Sequence, residues 1–117
     1  MSYLAIFVGG GLGSIARFGL SRWAVVVGRE AMWGTLAANT LACLVLGYLA
    51  FSVADNAYSP NTRLLLATGF CGGFSTFSTF SLEAFTLLQT GRTGLALLYI
   101  GLSLLLGISA FAVFAFR

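Results

Sequence analysis

Gly69-Phe70-Cys71-Gly72-Gly73-Phe74-Ser75-Thr76-Phe77-Ser78-Thr79-Phe80-Ser81 sits in the middle of an apolar run that extends from Leu64 to Leu88. The run is long enough to cross a bilayer, yet paired glycines followed by hydroxyl and β-branched residues weaken a helix. A helix broken inside a bilayer persists only where protein or a watery cavity satisfies the freed backbone groups, and its carbonyls then become available as ligands. Three ordinary apolar runs surround it. The first starts near Tyr3 and carries Gly9, Gly10, Gly11, Gly13 and Arg17 before Arg22 and Trp23; no Lys or Arg precedes it, so it reads as a retained span rather than a cleaved leader. The second opens at Trp33 and Gly34 and ends before the loop residues Asp55, Asn56, Ser59, Pro60 and Asn61. The fourth follows the turn at Arg92. The expected elements are helices at about 3–23, 33–54, 63–90 (broken near 72–76) and 94–116, one four-helix transmembrane domain over 1–117.

Composition agrees. The 117 residues are 59% hydrophobic and 8% charged, with a mean hydropathy of +0.98, against about 25% charge in soluble domains. Four spans of roughly 20 residues fill the chain and leave no room for a soluble catalytic domain. There is no His, which excludes His proton relays, Ser/His triads and His-ligated metals, and the two cysteines, Cys43 and Cys71, lie far apart without CxxC spacing. No phosphate loop of the form GxxxxGK[ST] is present, and nothing points to nucleic acid.

All six basic residues are Arg. Arg63 and Arg117 flank spans on the N-terminal side, against Arg22, Arg29 and Arg92 on the other, so the bias is two against three. Orientation follows the excess of basic residues in short cytoplasmic loops, and a near-tie predicts insertion both ways round. An antiparallel homodimer with its two-fold axis in the membrane plane is the natural assembly.

Polar residues inside spans mark helix contacts or a permeation path. Helical spacing aligns Thr35, Asn39 and Cys43 on the second span and Tyr99, Ser103 and Gly107 on the fourth. On the third, Phe77, Phe80, Ser81 and Ala84 share one face, and Thr76, Thr79 and Glu83 a neighbouring one. The amide of Asn39 and the hydroxyls of Ser78, Thr79, Ser81, Tyr99 and Ser103 are neutral groups able to replace water around an ion, and ring edges of Phe77 and Phe80 carry positive potential that suits an anion. Each also has an ordinary reading. Gly9 and Gly13 form GxxxG, a close-packing pattern; Phe77 and Phe80 can face lipid; Asn39 can bridge two helices; hydroxyls bond back to their own helix; Glu83 can sit in an ion pair.

Three segments together, Gly-Gly-Gly-Leu-Gly-Ser-Ile-Ala-Arg (Gly9 to Arg17), Gly-Thr-Leu-Ala-Ala-Asn (Gly34 to Asn39) and the Gly69 to Ser81 stretch, resemble the CrcB/Fluc family of fluoride channels over the whole length. The resemblance implies a dual-topology antiparallel homodimer in the bacterial inner membrane with two fluoride pores, and a structural sodium ion at its centre. By motif position, Gly72 and Ser75 would supply the sodium carbonyls. Phe77 and Phe80 would contact fluoride and Asn39 would donate to it; Ser78, Thr79, Ser81, Tyr99 and Ser103 would line the polar track. Glu83 matches the family's acidic residue near the pore, and Arg17 the arginine that ends the first motif. Ser75 stands where the family has threonine, which leaves a carbonyl ligand intact. The implied task is passive fluoride efflux, protecting the cell from fluoride trapped after entry as the neutral acid. The main rival is a proton-coupled exporter of small multidrug type, which needs a carboxylate deep in the first span, where this chain has Arg17. A purely structural module and an intramembrane enzyme, which would lack a base and nucleophile pair, follow behind.

Overall fold

The computed structural model describes residues 1–116; Arg117, counted above among the charges of the N-terminal side, lies outside them. All regular structure among the described residues is helical. Helices α1 (Ser2–Val26), α2 (Ala31–Phe51) and α6 (Thr93–Ala115) are each long and apolar enough to cross a bilayer. Between α2 and α6 the chain is segmented. A short α3 (Pro60–Arg63) leads into a π-helical stretch (Leu64–Cys71), a single turn α4 (Gly72–Phe74), two extended residues and α5 (Phe77–Gln89).

Local chemistry explains the ends. Ser59 caps α3 by accepting from the Thr62 amide at 3.2 Å, with Pro60 in the first turn where its missing N–H costs nothing. The turns after α1 and α5 are near copies. Gly28 (φ 82°) and Gly91 (φ 81°) adopt the left-handed conformation that favours glycine, and the following amides of Arg29 and Arg92 reach back to the carbonyls of Ala24 and Leu87, both at 2.8 Å. An ion pair of 2.8 Å between Arg92 and Glu30 ties these two turns together at one end of the molecule. At the other end, Arg63 donates to the Leu49 carbonyl near the end of α2 at 3.1 Å and to the Asp55 carbonyl at 2.9 Å, while Ser2 donates to Asn61. The long elements therefore run up and down between two ends.

The closest packing joins α1 to the segmented run. A β-carbon at Gly9 would strike the Leu65 carbonyl oxygen, one at Gly13 the Phe70 carbonyl oxygen, and one at Gly73 the Gly10 carbonyl oxygen. Gly69 completes the seam, its added β-carbon 3.0 Å from the Gly9 Cα. Two four-residue glycine steps, Gly9/Gly13 and Gly69/Gly73, thus meet backbone to backbone, the close approach by which helices associate where lipid supplies no hydrophobic drive. This revises the expectation that the glycine pair itself loosens the helix: Gly72 and Gly73 are both helical, and the chain leaves the helix only at Ser75 and Thr76. Two small apolar clusters fill the remaining interior, Met32, Ala84, Leu87, Ala96 and Tyr99 in one, and Ala38, Ala42, Cys71 and Phe74 in the other. Large side chains such as Phe7, Ile15, Phe18, Leu98, Leu105 and Ile108 point outward, the pattern of a surface that faces hydrocarbon.

Candidate functional site at the helix break

Ser75 and Thr76 are extended (ψ 156° and 126°), and side chains take over the hydrogen bonds that the helix gives up. Asn39 of α2 clamps Thr76 on both sides, its Oδ1 accepting from the Thr76 amide at 2.7 Å and its Nδ2 donating to the Thr76 carbonyl at 3.2 Å. The Thr76 hydroxyl then caps α5, accepting from the Thr79 amide at 3.2 Å. In an unbroken helix the amides of Thr76 and Thr79 would return to the carbonyls of Gly72 and Ser75. Both are diverted, so these two carbonyl oxygens are released from the helical ladder. Gly72 is exposed and a β-carbon there would meet nothing within 4 Å, so its surroundings are open.

Arg17 braces the break from α1. Its Nε donates to the Gly73 carbonyl at 3.1 Å and its Nη1 reaches the Thr79 hydroxyl at 3.5 Å, joining the last turn before the break to the first turn after it. A guanidinium is well placed there, because the final carbonyls of a helix carry partial negative charge.

Asn39, Cys43, Ser75, Thr76, Phe77, Phe80, Ser103 and Leu104 line a cleft of about 280 Å³ beside the break. The rings of Phe77 and Phe80 lie 6.1 Å apart at 51°, and Phe80 meets Tyr99 edge to face at 5.2 Å. Phe77 is 80% exposed, so half of the aromatic pair faces outward. The Ser103 hydroxyl is buried and has no hydrogen-bond partner among the described residues. A buried, unpaired hydroxyl costs about 1–3 kcal/mol and marks a place where a further acceptor or donor fits.

One turn further along α5, Glu83 accepts from the Thr35 hydroxyl at 2.8 Å and from the Tyr99 hydroxyl at 2.6 Å. Both donors are fully buried, at 1% and 0% exposure. Glu83 also lines a second cleft, of about 400 Å³, whose wall includes Glu30, Thr86, Thr90 and Arg92. The two polar stripes of α2 and α6 accordingly face one another along one path: Thr35 with Tyr99 at Glu83, Asn39 with Ser103 at the break, and Cys43 against Gly107, whose added β-carbon would lie 3.6 Å from the Cys43 Sγ.

The remaining candidates lie elsewhere in this chain. Ser78 is exposed, with its hydroxyl 3.4 Å from that of Thr76; Thr79 turns to Arg17; Ser81 is half-buried and lines neither cleft. Gly9 and Gly13 are buried in the helix seam. Three participants appear in the sequence only as members of a stripe or face, with no role of their own. Thr35 is the partner of Glu83, which its position one turn before Asn39 on the same stripe signals. Thr76 is a helix cap, a position that hydroxyl side chains favour. Cys43, given no role, lines the cleft. Among the described residues no three Asp, Glu, Cys or His side chains converge on a metal position.

Comparison with known proteins places the chain. Residues 4–115 match the family model described as CrcB-like protein, Camphor Resistance (CrcB). A protein named fluoride-specific ion channel FluC from Leptospira interrogans serovar copenhageni is 46% identical over 115 residues, covering 95% of this chain and 90% of the relative. Proteins of the same name from Rhizobium etli and Escherichia coli O17:K52:H18 are 45% identical over 115 residues and 46% identical over 104; they cover 96% and 87% of this chain, and 90% and 81% of the relatives. With near end-to-end matches of this strength and at least three apolar helices of spanning length, the chain is a multi-pass integral membrane protein that belongs to the CrcB family.

Proposed function

We propose that this chain is a fluoride channel that lets the anion leave the cell passively and so protects it from fluoride. The observation that carries the reading is the match of nearly the whole chain to relatives named fluoride-specific ion channels. The geometry suits it. A small anion entering the cleft meets the unpaired Ser103 hydroxyl, the second Nδ2 hydrogen of Asn39 and the rims of Phe77 and Phe80, all uncharged. Stripping water from an isolated ion costs tens of kcal/mol by Born estimates, which such donors offset without the trapping that a full opposite charge would cause. Beyond Phe80, the Thr35 and Tyr99 hydroxyls hold Glu83 at the wall of the path, and Ser78, Thr79 and Ser81 extend the polar face of α5 towards a neighbouring protomer.

In this reading the segmented run between Pro60 and Gln89 is a fourth span. Two chains insert in opposite orientations in the inner membrane and pair as an antiparallel homodimer, the exposed Phe77, Ser78 and Gly72 facing the partner. The carbonyls of Gly72 and Ser75, freed from the ladder, would hold a sodium ion, whose charge would offset their partial negative charge and fasten the break. Neutral backbone carbonyls can replace the hydration shell of a monovalent cation of this kind. The proton-coupled exporter has no support from the family, and Arg17 stands where it needs an acid.

Purified protein in liposomes loaded with potassium fluoride, with potassium shunted by an ionophore, should release fluoride to an electrode within seconds, and chloride-loaded liposomes should retain their anion. Absence of fluoride release, or equal release of chloride, would overturn the assignment. Replacing all sodium by N-methylglucamine on both sides of the membrane should abolish flux; full flux in its absence would remove sodium from the picture.

A further inference from the structure

The ion pair between Glu30 and Arg92 joins two loops at 2.8 Å, with each side chain 48% exposed. A pair so wet adds little to stability, and its position is the more informative fact. Both residues line the cleft of about 400 Å³ whose wall also carries Glu83. From Glu83 the hydroxyl of Tyr99, the ring of Phe80 and then Asn39 and Ser103 lead inward to the break. The pair therefore stands at the outer end of the polar path. Arg92 is the cation of this cleft; Glu30 and Glu83 are the acidic side chains on its wall, and Arg29, next to Glu30 in sequence, does not line it. Glu30 engages the Arg92 Nη1, and among the described residues the guanidinium makes no other hydrogen bond or ion pair, so several of its five donors are left for the cleft or solvent.

The geometry points to Arg92 as the residue that collects the anion at this mouth, and to Glu30 as the counterweight that sets how strongly it does so. This rests on the fluoride-channel reading and adds a rate-setting pair to it. A guanidinium beside a low-dielectric wall raises the local concentration of anions, and a carboxylate in contact with it cancels most of that field. When fluoride is scarce, entry limits flux, and the charge balance of the mouth then sets the rate.

The experiment measures initial fluoride efflux from liposomes at sub-saturating fluoride for the wild type, Glu30→Gln, Arg92→Gln and the double variant. It is run at low ionic strength and again with potassium gluconate at about 0.5 M, where the screening length falls to a few ångström. At low ionic strength Glu30→Gln should raise the rate about two- to fivefold and Arg92→Gln should lower it by a similar factor, the modest end of electrostatic steering expected for one half-exposed charge. The double variant keeps the net charge of the intact pair and should return close to the wild type. High salt should draw all four together. The gain in Glu30→Gln cannot come from misfolding, which keeps the test sound even if Arg92→Gln folds poorly. A Glu30→Gln rate at or below wild type, or differences that salt leaves unchanged, would overturn the role of the pair while the wild-type flux stands; a wild type that passes no fluoride would instead overturn the channel assignment.

Discussion

Asn39 serves the backbone at the break, and in the proposed channel it would also donate to the ion. Its amide copies the pairing of a peptide group, so that the Thr76 amide and carbonyl are both satisfied at the point where the helix is interrupted. Asn39→Asp keeps an acceptor for the Thr76 amide but turns a carboxylate oxygen towards the Thr76 carbonyl, removing one hydrogen bond and setting two acceptors against each other. A loss of about 1–3 kcal/mol at the break follows. Fluoride flux should fall at least about tenfold, the factor that corresponds to about 1.4 kcal/mol, while the gel-filtration volume stays that of the wild type. Phe80→Met keeps the bulk in the cleft but loses the positive ring edge, and should reduce flux with no change in elution. Unaltered flux in both variants would take these residues out of the path. Asn39 was legible in the sequence as a polar residue in a stripe, and its two roles, helix bridge and ion donor, were both open there. Only the fold shows that the main chain occupies part of its hydrogen-bonding capacity and leaves one hydrogen over. Likewise, Glu83 stood out as an intramembrane acid, but its partners Thr35 and Tyr99 come from two other helices, and no spacing within α5 contains them.

At the scale of the element, the broken run between Pro60 and Gln89 separates what pattern can show from what packing decides. Its composition announced an interruption, and the structure has one, at Ser75 and Thr76. The glycines carried an ambiguous signal, since the same residue both weakens a helix and permits close approach. Position resolves it: Gly69 and Gly73 face the backbone of α1, and the interruption falls where Asn39, Thr76 and Arg17 can absorb the freed groups. The π-helical stretch over Leu64–Cys71 is a change of hydrogen-bond register that no residue pattern in the sequence announces. A contrast on α1 tests the seam. Gly13→Ala places its β-carbon on the Phe70 carbonyl oxygen, which is backbone and cannot turn aside, whereas Gly11→Ala enters open space. The first should destabilise the protein by about 1–3 kcal/mol, as overpacking does; the second should leave stability unchanged or raise it by about 0.5–1 kcal/mol through helix propensity. Thermal denaturation in detergent, followed by loss of the gel-filtration peak, measures both. Equal behaviour of the two variants would mean that the glycine seam does not hold α1 against the run.

For the whole molecule, the proposed antiparallel pairing rests on the distribution of charge. Contacts between Ser2 and Asn61, and between Arg63 and the end of α2, set one end of the bundle; the Glu30–Arg92 pair sets the other, with Arg22 and Arg29 near it in sequence. The near-tie of arginines read from the sequence would leave the membrane-insertion machinery little to choose between, and in the proposed assembly a population of both orientations would supply the two halves of an antiparallel pair. An antiparallel channel would make orientation a requirement for function. Asn56→Lys with Ala57→Lys adds two charges to the exposed loop after α2, and Val27→Lys with Thr93→Lys adds two at the opposite end, also at exposed positions. Each double variant expressed alone should insert in one orientation and fail to protect a fluoride-sensitive cell, because no oppositely oriented partner is available. The two expressed together should restore resistance, since every variant residue lies outside the clefts and each chain then finds its complement. Accessibility of the introduced lysines to a membrane-impermeant amine reagent reports orientation independently of resistance. If each variant is uniformly oriented and still protects the cell alone, parallel chains conduct and the antiparallel assembly is refuted; rescue confined to the mixture shows that the near-tie of arginines is what supplies both halves of the channel.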